Sequence, residues 1–185
     1  DRIEVMRCSG QSLMPEGLER VLDFDAMNHL VHYLQSVRSQ PKRFPGNTPQ
    51  VAPVRDDGSL RMFAMHAEVY GPSLAFEPKY RNLGFWSSES DYAVWNIHPE
   101  RAGRYEFILD YACPDATAGN RFQLRVNGRK LSEVVEPTGS WDRYRSKRIG
   151  TLWLPKEPVQ VSVSSEGPIN GYLFDLRTIV LWPED

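Results

Sequence analysis

The sequence predicts an all-β fold preceded by a short helical segment. Three observations carry this. From about Leu60 onward, apolar and aromatic residues fall in short runs that alternate with polar ones. Clusters rich in Gly, Pro, Asn and Asp punctuate those runs. No helical periodicity intervenes between them. Many short alternating strands at near-regular spacing point to a β-sandwich or a barrel.

Residues 1–40 come first. Phe24, Met27, Leu30, Val31 and Leu34 recur at helical spacing, which predicts an amphipathic helix over about 24–38. Asp23 or Asp25 is placed to cap it, and Pro41 lies just beyond its end. Residues 41–59, PKRFPGNTPQVAPVRDDGS, hold four prolines and two glycines and read as an extended linker. Residues 60–185 form the β module. Its strand-like runs are MFAMHAEVY, DYAVWNI, GRYEFILDYAC, RFQLRV, RIGTLWL, VQVSVS and GYLFDLRTIVLW. Tyr105, Phe107, Leu109 and Tyr111 share one strand face, as do Val159, Val161 and Val163.

Composition narrows the function. The 185 residues are 41% hydrophobic and 25% charged, ordinary for a soluble globular chain. A net charge of -2 gives no overall pull toward nucleic acid or an acidic membrane. No apolar run reaches the length of a membrane span. The chain opens Asp-Arg-Ile-Glu, without a leader pattern or initiator Met, as expected of a processed protein or a piece of one. Cys8 and Cys113 can pair, but they read better as two buried free thiols.

Catalytic signatures are missing: there is no G-x-S-x-G, H-E-x-x-H, P-loop or G-x-G-x-x-G. His29 and His32 stand three apart without a third metal ligand, and His66 and His98 are isolated. WDRYRSKR is basic and aromatic. Tyr144 alternates there with charged residues, as on a strand with one wet face, and this favours no nucleic-acid partner.

Aromatics are more informative. Trp86, Trp95, Trp141, Trp153 and Trp182 all lie in the β module. Trp95 and Trp153 fall inside strand-like runs and are expected in the core. Trp86 in GFWSSESD and Trp141 in PTGSWD fall in loop-like stretches. Such a Trp either plugs the end of a sandwich or offers a flat face to a sugar ring. Arg143, Asn170, Glu89 and Asp91 are candidate partners for sugar hydroxyls.

Five stretches in order then carry a resemblance: HAEVYG (66–71), GFW (84–86), DYAVWNIHPERAGRYEFILDYAC (91–113), TGSWDRY (138–144) and GYLFDLRTIVL (171–181). Together they resemble family 6 and related carbohydrate-binding modules, which are β-jelly rolls. The resemblance implies an extracytoplasmic, non-catalytic module. Its partners would be a polysaccharide or oligosaccharide and the neighbouring domains of a parent protein, with no membrane insertion. It implies a sugar site on the loops at one end, with Trp141, Asn170 and either Trp86 or Tyr92, beside which Arg143 remains a candidate partner. It also implies a structural calcium held by Glu68 and Asp175. His66 stands where the family often has a second acid, and an imidazole suits calcium poorly. The rival reading is a structural or protein-interaction sandwich whose aromatics are all core.

SLMPEGLERVLDFDAMNHLVHYLQS (12–36) resembles the C-terminal end of planctomycete-type cytochrome c-like haem domains. Met14 takes the place of the axial ligand. The chain lacks C-x-x-C-H, so no haem is expected in it. This resemblance implies a piece of a larger protein. The alternative is a helix packed on the sandwich.

Overall fold

The computed structural model describes Ala26 and residues 40–184. Apart from Ala26, the proposed helix over 24–38 lies outside the described residues, as do Met14, Cys8, His29 and His32. Gln40–Asp185 forms one compact unit.

Its strands are β1 (Leu60–Phe63), β2 (Glu68–Tyr70), β3 (Ala75–Glu77), β4 (Asn82–Gly84), β5 (Tyr92–Ile97) and β6 (Gly103–Ala112). They continue with β7 (Arg121–Val126), β8 (Arg129–Val134), β9 (Arg145–Leu154), β10 (Val159–Ser165) and β11 (Asp175–Pro183). Two antiparallel sheets result. One runs β3-β4-β11-β6-β9, with β1 also paired to β11. The other runs β2-β5-β10-β7-β8. This is a two-sheet sandwich, one of the two architectures the alternation predicts, and it agrees with the jelly roll that the resemblance implies.

Period-two patterning decides what is inside. Tyr105, Phe107, Leu109 and Tyr111 of β6 are buried, and so are Val159, Val161 and Val163 of β10. The polar tips of two core aromatics find partners. Trp95 Nε1 donates to Phe63 O at 2.8 Å, and Tyr111 Oη donates to Glu136 O at 3.1 Å. Cys113 is buried and free. The Asn127–Gly128 pair joins β7 to β8 with both residues at positive φ, the geometry of a tight hairpin turn.

Two expectations need correction. Residues 41–59 are extended, but they are not an independent linker. Lys42 N–H donates to Val69 O, Thr48 N–H to Met65 O and Ala52 N–H to Asn96 O. Asn47 Nδ2 bridges Met65 O and Ala67 O, and Ala52 enters the core. Proline keeps the segment out of a sheet, but its remaining backbone groups still bind the sandwich. Trp153 is not core: it is 47% exposed. Its neighbours Leu152 and Leu154 take the inner face of β9, so parity sends the Trp outward.

One buried carboxylate fixes the loops at one end. Asp91, fully buried, accepts bonds from Ser73 N–H (2.9 Å), Leu74 N–H (3.0 Å), Ser87 N–H (3.3 Å), Ser88 N–H (3.0 Å) and the Ser73 hydroxyl. Burial alone would push its pKa up. The donors from Ser73, Leu74 and Ser88 outweigh burial and hold it below the usual carboxylate range. Gly71 makes this approach possible: at φ +93, a Cβ there would lie 2.5 Å from Asp91 Cα. Asp91→Ala should cost about 3 kcal/mol or more, because several buried donors lose their acceptor. A carboxylate with depressed pKa stabilises the fold above its unfolded pKa, and this is lost as pH falls through the lower folded value. Urea titrations should therefore show wild type weakening steeply below about pH 4, with a shallower acid limb in the variant.

Candidate functional site

At this end of the sandwich, loops gather four partly exposed aromatics around a hollow of about 360 Å³. Tyr80 comes from the β3–β4 turn, Phe85 from just after β4, Trp141 from the β8–β9 loop and Tyr172 from the approach to β11. Glu77, Asp142 and Asp175 supply its polar wall.

Each aromatic is held by local structure. Phe85 adopts φ +59, a left-handed conformation rare for a bulky residue. That twist leaves Phe85 54% exposed while Trp86 turns fully inward. Trp141 follows the Thr138-Gly139-Ser140 turn. Thr138 is buried, accepts from Cys113 N–H at 2.9 Å and donates its own N–H to Cys113 O at 2.7 Å. Gly139 takes φ +101 and lets the chain reverse. Trp141 meets Tyr172 edge to face, with centroids 6.1 Å apart at 82°. The Tyr172 loop is clamped by buried Asn120. Its Nδ2 lies 3.0 Å from both Asn170 O and Tyr172 O, and its Oδ1 accepts from Asn170 N–H at 2.8 Å.

The carboxylate wall depends on a missing side chain. Glu77 of β3 and Asp175 of β11 lean over Gly84 of the intervening β4. A Cβ on Gly84 would meet Glu77 Oε2 and lie 2.9 Å from Asp175 Oδ1. Burial, then the Glu77 charge, raises the Asp175 pKa to about 7, against an opposing pull from Arg177.

Of the residues singled out in the sequence, the structure brings Trp141 and Asp175 to this hollow. The others are corrected. Trp86 is core: it meets Phe174 edge to face and donates Nε1 to Asp91 O at 3.2 Å. Tyr92 stacks on Tyr70 at 4.6 Å, beside β2 in the five-stranded sheet. Arg143 folds against Gly139, and the exposed Asn170 does not line the hollow. Asp91 is consumed by its loop bonds. Glu68 and Asp175 belong to different sheets and take different partners. Glu68 binds the Tyr70 hydroxyl at 2.6 Å and Asn96 Nδ2 at 3.3 Å on the five-stranded sheet, whereas Asp175 opens a strand of the other. Among the described residues, no group of three or more His, Cys, Asp or Glu side chains is placed to hold a metal.

Tyr80, Phe85 and Tyr172 were missed by sequence reasoning. Tyr172 was hidden in a run that reads as continuous strand, although β11 begins only at Asp175.

A carboxyl whose folded pKa is raised stabilises the fold below its unfolded pKa, and that contribution is lost as pH rises through the folded value. For Asp175 the window runs from about pH 4 to about pH 7. Asp175→Asn should remove this slope. Denaturant titrations should find the variant close to wild type at pH 4 and more stable at pH 8, by roughly 1–3 kcal/mol for this partly exposed group.

No protein-family model matches the sequence, and no curated protein sequence does. Solved structures do match. A family 35 carbohydrate-binding module from Clostridium thermocellum aligns with TM-score 0.56 at 16% identity, covering 66% of this chain and 97% of that one. The C-terminal family 6 carbohydrate-binding module of a marine laminarinase from Zobellia galactanivorans aligns with TM-score 0.55 at 19% identity, covering 67% and 98%. A Podospora anserina β-(1,4)-mannanase carrying a family 35 module aligns with TM-score 0.55 at 17% identity over 70% of this chain, which spans 28% of that protein. At these identities the likeness establishes the fold: the sandwich has the architecture of family 35 and family 6 carbohydrate-binding modules.

Proposed function

We propose that the β-sandwich is a non-catalytic carbohydrate-binding module that works outside the cytoplasm and takes a sugar ring into the hollow beside Trp141. One observation carries this reading. Four aromatics of a hydrophobic-cored sandwich stay partly exposed and converge on one hollow with a carboxylate wall. Apolar sugar faces stack on aromatic planes, and sugar hydroxyls donate to carboxylate oxygens. The named sugar-binding modules that share the fold support it. Glu77 and Asp175 rise from the same wall over Gly84, whereas glycoside hydrolysis needs carboxyls flanking the bond to be cut. Stacking contributes about 1–3 kcal/mol per ring by analogy with nucleic-acid bases, so affinity should fall in the micromolar to millimolar range, on the order of a shallow site.

A second observation favours a different partner. Trp153 and Trp182 are exposed on the six-stranded sheet, opposite Arg104 and Glu106 respectively, and such residues suit a protein-docking face.

The two readings separate by mutation. On a glycan array, Trp141→Ala should abolish binding while costing about 1 kcal/mol of stability, as for a half-buried surface residue. Trp153→Ala should leave glycan binding unchanged. Trp86→Ala should cost about 3–5 kcal/mol, as core aromatics do. Undiminished glycan binding by Trp141→Ala would remove this hollow as the site.

A further inference from the structure

Strand β11 carries two different surfaces. At its start, Arg177 and Thr178 line a cationic hollow of about 590 Å³ together with Lys79 and Arg81. At its end, the outer face of the six-stranded sheet holds a patch of another kind. Trp182 of β11 and Trp153 of β9 stand 38% and 47% exposed on either side of β6. We infer that this patch is a self-association surface that takes a second copy of this chain across a two-fold axis. The inference names the partner for the protein-docking reading of this face, and it does not depend on the carbohydrate reading.

Strand register lays the patch out in rows. Trp182, Glu106 and Thr151 stand side by side on β11, β6 and β9. In the next row Glu184 donates its N–H to Arg104 O at 2.8 Å, and Arg104 stands opposite Trp153. On the other side of the Glu106 row come Val180, Ile108 and Arg148. The tryptophans thus occupy opposite corners of a block centred on Glu106 and Arg104, two residues apart on β6. Val180 and Ile108, half-buried, extend the apolar surface from Trp182. Exposed indoles on a sheet whose inner face is already packed suit an interface, where Trp and Arg are enriched.

Charge points to the partner. Arg104 pairs with Glu184 at 2.9 Å, Arg148 pairs with Glu106, and Arg148 also approaches Glu184 at 3.9 Å. The patch is therefore balanced, and Arg61 at its rim, opposite Val180, is faced by Asp57. A partner carrying a single sign of charge would be repelled by half of these groups. A second copy is not. Consider a two-fold axis in the plane of the interface, running across the strands between the Glu106 and Arg104 rows. It sets each Arg104 over Glu106 of the second copy, Trp153 over Thr151 and Trp182 over Glu184. An isologous contact of this kind is its own complement. The four charged side chains lie at the surface, so their pairs within one copy are weak and can be shared across the contact at little cost. Each indole offers about 150–250 Å², which keeps the interface at the small end of specific contacts. The dissociation constant should therefore lie in the micromolar to millimolar range.

The test is sedimentation velocity on the full chain over a micromolar to millimolar concentration series. Dimer should appear as concentration rises. Arg104→Glu alone and Glu106→Arg alone each oppose like charges twice per contact, and each should weaken association roughly tenfold or more. An equimolar mixture of the two single variants should associate as the wild type does, because one copy then presents two acids to two bases on the other. The double variant Arg104→Glu with Glu106→Arg should recover association as well. Trp153→Ser with Trp182→Ser should abolish it. All these positions are on the surface, and melting temperatures should confirm that each variant is folded. A wild-type chain that stays monomeric at millimolar concentration overturns the inference and leaves the face to a different protein. So do single variants that associate like wild type, or a mixture that associates no better than either variant alone. Association that survives the tryptophan double variant uses another surface, and it removes the docking reading of this face along with the inference.

Discussion

The buried Asp91 carboxylate is the interaction on which the site end of the sandwich depends. It gathers five hydrogen bonds from two loops that are distant in sequence. Wrapping Ser87–Asp91 around that carboxylate brings the Asp91 carbonyl over Trp86 Nε1, and this anchors the indole in the core. Trp86 O then accepts from Leu173 N–H at 2.8 Å. Leu173 follows Tyr172 directly, so the same chain of bonds that buries one aromatic presents another. Asn120 clamps the Tyr172 loop from its other side. The hollow is thus positioned by satisfied buried polar groups, which are costly to break and hold one arrangement.

Carboxylates at the site stand in a different balance. Glu77 and Asp175 occupy space that Gly84 leaves empty, and burial first, then the Glu77 charge, raises the Asp175 pKa to about 7. The core tolerates this because its stability comes from elsewhere, from interdigitated residues such as Trp95, Phe107, Phe122 and Phe174. Sugar hydroxyls entering the hollow would donate to these oxygens.

What the sequence reveals and what it hides follow the range of the interactions. Strands and their inner faces are legible because burial repeats every second residue, as in Val159, Val161 and Val163. The Thr138–Ser140 turn that lifts Trp141 is legible for the same local reason. Phe85 and Trp86 are not distinguishable: a single left-handed φ decides which of two adjacent aromatics faces out, and the bonds that hold the neighbouring Trp86 and Ser87 run to Asp91 and Leu173. Glu68 and Asp175 were paired by resemblance, but their strands belong to different sheets. Proline content rightly marks 41–59 as irregular. It says nothing of hydrogen bonds to Val69, Met65 and Asn96, which are set by the closed sandwich.

A regular strand offers a binding face one side chain in two, spaced by about 6.6 Å. Crowding six or seven functional groups onto one end therefore requires breaks in regularity. Each break sits beside a hollow. Phe85 leaves the strand conformation and turns its ring outward. Arg81 does the same at the other end of β4. Arg177 is inserted as a bulge, so that β11 sends two successive side chains to one face. Gly84, between the two strained residues, gives up its side chain so that carboxylates from both neighbouring strands can approach. The three-residue strand β4 is too short to be a major source of sheet stability, and every one of its residues is buried. Its residues serve as the hinge line between an aromatic hollow with acidic walls and a cationic one. The backbone of this strand and its two flanking residues, more than any single aromatic, gives the surface its chemical polarity.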